Sequence, residues 1–447
     1  MISIVENFNK ISLHEPEKYP EVMERYNHIP EIKEIDNRGY EIHRPLFSHS
    51  SIPNHISSKE VKKVDFDFKS NFLYCVLLHH NNLLAIKNLN CIPSDILEYV
   101  REKKCRLILD NLLEGHSVVK LIPLLYKSIN ELKLPPDQIY YITNNLLAEN
   151  QHSKWCRDNN IYKKVNILSF MYNVLDVKNL QNRNLYNNPI IKSDNYRVQS
   201  PYKHKALPAV IDIEKEISYK ENNLKNIKHF LKINRTNREE RNLFMLFLNK
   251  EDILKKSLVS FPDFPEEYIY PDYFEKYTDS KNIENLLVKL PFDIDESDRA
   301  NHGPAGFGLN EFDADLPFNP VHYRNTFISI VMCAFPFENN ACHLHSSTFN
   351  PLYCGHPIIQ FGPYKHLEEL KKRGFKTFNQ WWDESYDNIK DPWKRLNSIF
   401  KLVKTLSKLS PSDLIEIYKS MKEVLQHNSD LIQNYNGKNK LIKFINE

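Results

Sequence analysis

Phe327-Ile328-Ser329-Ile330-Val331-Met332, then Cys342-His343-Leu344-His345-Ser346-Ser347-Thr348-Phe349-Asn350-Pro351, then Pro357-Ile358-Ile359-Gln360-Phe361 closed by Gly362-Pro363: the reading of this succession decides the fold. The first run is dense in β-formers and short enough for a buried strand. The second is polar and has the character of a helix start. The third is again a strand. A helix from roughly Lys365 to Arg373 then leads to Gly374-Phe375-Lys376-Thr377-Phe378 and to Trp382-Asp383-Glu384-Ser385-Tyr386-Asp387. Strand, polar helix start, strand and helix is the layout of a nucleotide-binding α/β half-domain, which takes its ligand at the carboxyl ends of the strands.

Working outward, the same alternation recurs upstream. Phe72 to Leu78 reads as a buried strand ending in His79-His80, and Pro93-Ser94 starts a helix to about Lys103 with Ser94 as N-cap. Arg106–Asp110, Gln138–Thr143 and Val165–Leu168 read as strands, separated by helices over about 117–132 and 147–157. Strands alternating with helices of this length predict a parallel, doubly wound sheet. A second α/β half begins at His229-Phe230-Leu231-Lys232-Ile233-Asn234, with a helix to about Asn249. The chain therefore divides into an N-terminal arm (1–65), a Rossmann-like domain (66–180), an Asn-, Pro- and Tyr-rich connection (181–224) and a second Rossmann-like domain (225–447). Residues 262–322 read mostly as loop, and two amphipathic helices, about Trp393 to Leu409 and Pro411 to His427, close the chain.

Composition narrows the class. Hydrophobic content of 41% with 12% aromatic residues supports real cores and excludes wholesale disorder. With 60 basic against 57 acidic residues the net charge is only +3, less than a strong electrostatic DNA-binder usually carries, although a local basic cleft fits within a balanced total. Seven cysteines at scattered spacings suggest a reducing compartment. No signal peptide follows Met1 and no apolar run reaches membrane-spanning length, so a soluble cytoplasmic protein is expected.

Several residues have the chemistry for anion binding. Asn234-Arg235 lies where a strand gives way to a helix, and Arg238 and Arg241 follow on that helix. Free N–H groups at a helix start and fork-shaped guanidinium donors both favour a diphosphate. The competing reading is a solvated helix face paired with Glu239 and Glu240. His345, Ser346, Ser347 and Thr348, with Asn350 one turn on, offer hydroxyls and N–H groups for a phosphate or ribose, or simply cap the helix. Cys342, His343, His345, Cys354 and His356 follow no standard zinc spacing, and no metal is expected.

The order of these motifs resembles the C-terminal donor-binding half of a glycosyltransferase family of phages and AT-rich bacteria, itself similar to fucosyltransferases. Thr348, Pro351, Gly355-His356-Pro357, Leu367-Glu368-Glu369-Leu370, Gly374 to Phe378 and Asp383 to Asp387 fall in that family's order, and Asn234-Arg235, Arg238 and Arg241 match its Asn-Arg-x-x-Arg-x-x-Arg pattern. The first half is similar to the family's N-terminal domain through Ile108-Leu109-Asp110, Glu114-Gly115-His116 and Tyr141-Ile142-Thr143-Asn144-Asn145. The chain departs from the pattern at Ser346-Ser347, where the family has Glu and Lys, and at Met332-Cys333, where it has Thr-Glu.

The resemblance implies a GT-B-like fold of two Rossmann-type domains facing a cleft. It implies inverting, metal-independent transfer from a nucleotide-sugar, which is a co-substrate rather than a resident cofactor, to a glycan or to a hydroxylated DNA base. Such transfer needs a base for the acceptor hydroxyl and a cationic site for the leaving diphosphate. Asp110, Glu114 and His116 are the candidate catalytic residues. His79, His80, His302, Asp383 and Glu384 are candidates for the acceptor or sugar side. A degenerate relative that binds without transfer, a DNA-specific transferase and an unrelated nucleotide-binding enzyme stand as alternatives.

Overall fold

The computed structural model describes residues 2–6, 32–35, 41–44, 61–63, 72–78, 86, 89–92, 94–111, 117–171, 174, 211–234, 238–261, 270–292, 294, 320–333 and 335–446. They fall into two compact units, the first made of 1–172, 340–343 and 436–447, the second of 173–339 and 344–435. Both are α/β units built on an all-parallel sheet, as the alternation predicts.

In the first unit the strands β1 (Ile2–Glu6), β4 (Val61–Lys63), β5 (Phe72–Leu77), β6 (Cys105–Asn111), β7 (Ile139–Thr143) and β8 (Asn166–Ser169) lie in the order β4-β1-β5-β6-β7-β8. A separate antiparallel pair joins β2 (Ile32–Ile35) to β3 (Glu41–Arg44). Residues 2–6 and 61–63, read from sequence as arm, are thus sheet strands; both border polar stretches, and Val61-Lys62-Lys63 has no apolar run of its own. Helices α1 (Ser94–Arg101), α2 (Leu121–Glu131) and α3 (Ala148–Asp158) link β5 to β8 in turn. The odd-numbered face of β6, with Cys105, Leu107 and Leu109, packs with Ile139 and Tyr141 against Ile96, Val100, Leu125 and Ile129 of these helices. Successive strand residues alternate faces, so Asp110 lies on the opposite side of the sheet.

Two distant segments complete this unit. The last helix, Gly437–Asn446, sets Phe444 edge-on to Tyr140 with ring centroids 5.4 Å apart. Residues 340–343 dock at the carboxyl end of β7: Leu146 N donates to Cys342 O (2.8 Å), and Cys342 N donates to Asn145 Oδ1 (3.0 Å). His343 Nε2 lies 2.8 Å from Asn144 Nδ2. The run Cys342–Pro351, read as one polar helix start, therefore splits between the units at His343–Leu344.

In the second unit α4 (Ile213–Asn222) precedes β9 (Lys228–Ile233), α5 (Glu239–Lys250), β10 (Ser257–Ser260), α6 (Ser280–Leu287), α7 (Pro320–Arg324), β11 (Thr326–Met332), α8 (Ser346–Tyr353), β12 (Ile358–Phe361) and α9 (His366–Lys372). Helices α10 (Pro392–Leu406), α11 (Pro411–Ser420) and α12 (Lys422–Gln433) follow. The sheet order is β10-β9-β11-β12, all parallel. Part of the stretch read as connection is thus helix α4, and part of the stretch read as loop is α6, whose Asp279 N-cap accepts from Asn282 N (3.1 Å). The single helix expected over 411–427 is two, broken at Met421, where neither glycine nor proline marks the break. An aromatic cluster fixes α10 on α5: Phe400 stacks on Phe247 at 4.2 Å and meets Phe244 edge-on at 5.3 Å.

The turn into β12 depends on Gly355. Helix α8 ends with Gly355 N donating to Leu352 O (3.2 Å) and His356 N to Pro351 O (2.8 Å), the paired bonds of a Schellman cap. Gly355 has φ +61°, and a Cβ there would stand 2.0 Å from Ile213 Cδ1.

Candidate functional site

The second sheet reverses its order between β9 and β11, and the carboxyl ends at such a reversal are where open α/β sheets bind ligands. Three strand ends meet there: Ile233-Asn234, Met332-Cys333 and Phe361-Gly362.

At the end of β9, Asn234 N donates to Ser260 O (3.0 Å) and Asn234 Oδ1 accepts from Lys232 Nζ (2.6 Å). Asn234 Nδ2 is buried and has no hydrogen-bond partner among the described residues. Residues 230, 232 and 234 share one face of the strand, which sets the Lys232 amine over the Phe244 ring at 5.7 Å. Burial holds that amine well below its ordinary pKa; Arg241 pushes the same way, while Glu240 and Cys333 oppose.

Helix α5 opens at Arg238, whose extended backbone (φ −148°, ψ 152°) occupies the N-cap position and whose guanidinium lies 5.7 Å over the Phe335 ring. Arg241 Nη2 donates to Met332 O at the end of β11 (3.4 Å), and its Nε is 3.9 Å from Glu240 Oε1. Glu240 is only 3% exposed. Arg241 and Glu240 thus turn inward at the strand ends rather than lying on a solvated face, and they approach each other as a pair. Arg235 lies outside the described residues.

Along β11 and β12 the polar line continues. Cys333 N donates to Phe361 O (2.8 Å). Gln360 Nε2 donates to Cys333 Sγ (2.9 Å) and to Thr348 Oγ1 (2.8 Å), and His366 Nδ1 stands 3.9 Å from the same sulfur. Burial works to raise the Cys333 thiol, but the His366 imidazole and the hydrogen bonds around the sulfur bring it below its usual value. His366 fits there because residue 362 is glycine; a Cβ would lie 2.6 Å from its Nδ1.

At the start of α8, His345 is the cap: its Nδ1 accepts from Ser347 N (3.2 Å) and lies 3.1 Å from Ser346 Oγ. Thr348 is wholly buried and held by Gln360, while Asn350 Oδ1 has no hydrogen-bond partner among the described residues. The hydroxyl-bearing turn thus sits at the expected edge, with part of its polar capacity already used inside the fold.

Asp383 and Glu384 carry internal bonds. Glu384 accepts from Phe378 N (2.8 Å) and Thr377 Oγ1 (2.6 Å), and burial raises its pKa. Asp383 accepts from Ser385 N and Oγ, both at 2.8 Å. Asp387 caps α9 by accepting from Leu367 N (3.0 Å) and Glu368 N (3.1 Å).

In the first unit Asp110 is buried at the carboxyl end of β6, in register with Leu77 and Ile142. Beside it, Asn111 Nδ2 donates to Tyr141 Oη (2.6 Å), and burial pushes that phenol up to about 12. Glu114, His116, His79, His80 and His302 lie outside the described residues.

Lys232 escapes attention in the sequence. A single lysine in the run His229–Asn234 carries no motif, and its one visible signal is that Phe230, Leu231 and Ile233 around it suit a strand buried on both faces.

No family model matches the chain, and no curated protein matches it in sequence. Among solved structures, an alpha,alpha-trehalose-phosphate synthase (UDP-forming) from Burkholderia vietnamiensis aligns over 100% of both chains with a TM-score of 0.42 and 8% identity. The N-terminal domain of a trehalose-6-phosphate phosphatase from Candida albicans aligns over 85% of this chain and 70% of that one, with a TM-score of 0.36 and 9% identity. At that level of likeness neither neighbour speaks to this chain's activity.

Proposed function

We propose that the chain is a glycosyltransferase that moves a sugar from a nucleotide-sugar to a hydroxyl acceptor, and that the donor binds at the carboxyl edge of the second sheet. The observation that carries the reading is that Asn234 and the start of helix α5, with Arg238 and Arg241, lie at the β9–β11 reversal, where Arg241 reaches Met332 O. Cations and a helix start at a reversal point suit a nucleoside diphosphate.

The chemistry follows from that placement. As the glycosidic bond to the donor breaks, negative charge grows on the leaving diphosphate, and guanidinium groups near the strand ends stabilise it. A carboxylate takes the proton of the acceptor hydroxyl. Asp110 is the candidate base: it ends a strand of the first unit, on the sheet face away from the α1–α3 core. Inversion by direct displacement, with no metal, remains the proposed course. The acceptor is a glycan or a hydroxylated DNA base. Among the described residues no helix is long and apolar enough to cross a membrane.

A binding protein without transfer is the second reading. Ser346 and Ser347 stand where the resemblance expects charges, and Thr348 is engaged by Gln360.

Thermal denaturation against a panel of nucleotides and nucleotide-sugars tests the proposal, because a ligand that binds only the native state raises the melting temperature. A selective rise with one nucleotide-sugar, lost in Arg238→Ala, is expected. Release of free nucleotide with an acceptor panel then separates transfer from binding alone. A flat response to every nucleotide would overturn the donor site.

A further inference from the structure

Among the described residues the second unit buries two lysines, and their surroundings differ. Lys220 Nζ is surrounded by acceptors: it donates to Tyr323 O (2.8 Å), Arg324 O (2.9 Å) and, in a shorter contact, Thr326 O. An ammonium group has three N–H donors, and here three carbonyls meet them. That is how this fold satisfies a structural lysine at the end of α7.

Lys232 is equally buried but has one hydrogen bond among the described residues, to Asn234 Oδ1. In its charged form two of its donors are left over. The amide nitrogen of the same Asn234 also lacks a partner, so unused donors from two buried side chains lie together at the end of β9. The nearby charges do not settle the account. Glu240 and Arg241 approach each other at 3.9 Å, and no ion pair within 4 Å joins Lys232 to a carboxylate among the described residues. A buried ammonium without a counter-ion is costly, and an anion set beside Lys232 would offset that cost.

We propose that Lys232 and Asn234 form a recessed oxyanion site, which takes a phosphate oxygen onto the donors that their mutual hydrogen bond leaves unused. The inference rests on the donor-site reading for its location, at the β9–β11 reversal, and names the diphosphate as the part of the ligand held there. Lys232 is then a binding residue of the site, and Lys220 is structural.

The test compares wild type, Lys232→Met and Asn234→Asp by calorimetric titration with a nucleoside diphosphate, the matching nucleoside and inorganic pyrophosphate. Methionine keeps the length of the side chain and removes the charge. Aspartate gives Lys232 a permanent carboxylate partner and repels an anion, so the second variant tests the site even if the first fails to fold. Both variants are expected to lose at least tenfold in affinity for the diphosphate and for pyrophosphate, with nucleoside affinity unchanged. If wild type binds pyrophosphate but shows no preference for any nucleotide, and the variants lose pyrophosphate, the oxyanion site stands and the nucleotide-sugar reading falls. If the variants bind either diphosphate as tightly as wild type, or wild type binds neither, the oxyanion site is refuted.

Discussion

Replacing Arg395 by methionine should unfold the second unit far more easily than its place on a C-terminal helix suggests. Arg395 is 1% exposed, and its guanidinium spans three segments. Nε donates to Gly362 O (3.0 Å), Nη2 to Pro336 O (2.7 Å) and Nη1 to Ile389 O (2.5 Å) and Lys390 O (3.3 Å). Its plane also lies 5.5 Å over the Phe361 ring, so it braces the carboxyl end of β12. Methionine fills much of the volume but leaves the buried Gly362 and Pro336 carbonyls without this donor, at about 1–3 kcal/mol each. Against this, the variant no longer buries a charge, a cost visible in the fall of the Arg395 pKa to about 10, chiefly through burial. With the two carbonyls orphaned and the buried charge relieved, the balance is a loss of about 2–5 kcal/mol. In a unit of this size that lowers the melting temperature by roughly 10 °C. Urea unfolding followed by tryptophan emission is the assay, since Trp381, Trp382 and Trp393, three of the four tryptophans, belong to this unit. Arg395→Lys, which keeps the charge without the fork, should recover less than half of the loss. A loss below about 1 kcal/mol in Arg395→Met would refute the bracing argument.

Two further outcomes are expected. In the first unit His152 Nε2 lies 2.9 Å from Tyr126 Oη and 3.2 Å from Cys156 Sγ, and burial, helped by Lys164, lowers its pKa to about 4. Between pH 6.5 and 4 the unfolded chain takes up a proton on this histidine that the folded chain does not. Its contribution is thus full above pH 6.5 and falls by about 3 kcal/mol as the pH drops to 4. The unfolding free energy of wild type should show that slope and His152→Gln should flatten it; parallel profiles would deny the assignment. Gly355→Ala forces an L-residue to φ +61° with its Cβ against Ile213, and should cost about 2 kcal/mol in urea unfolding. A cost under about 0.5 kcal/mol would show that the turn relaxes freely.

How far the chain can be read without its tertiary structure differs from element to element. Strands and helices of the two halves, Phe72–Leu77, Cys105–Asn111, Ile139–Thr143, Thr326–Met332 and Ile358–Phe361 among them, declare themselves because each carries its own apolar run and its own punctuation. That Asn234 stands at a strand end is legible for the same reason, because it follows its run directly, and His345–Thr348 mark the next helix start. Strands set in polar surroundings do not declare themselves. Ile2–Glu6, Val61–Lys63 and Ser257–Ser260 carry few apolar residues beside polar stretches, and the pairing with neighbouring strands is what fixes them as strands. Sequence by itself determined that this is a two-part α/β chain with polar and cationic residues after its strands. Only the tertiary structure decided which polar residues are already spent, His345 on its own helix, Glu384 on Phe378 and Asp387 on α9, and which are left with donors in hand. A side chain's remaining hydrogen-bonding capacity depends on partners far along the chain, and for Lys220 and Lys232 that difference is set wholly by packing.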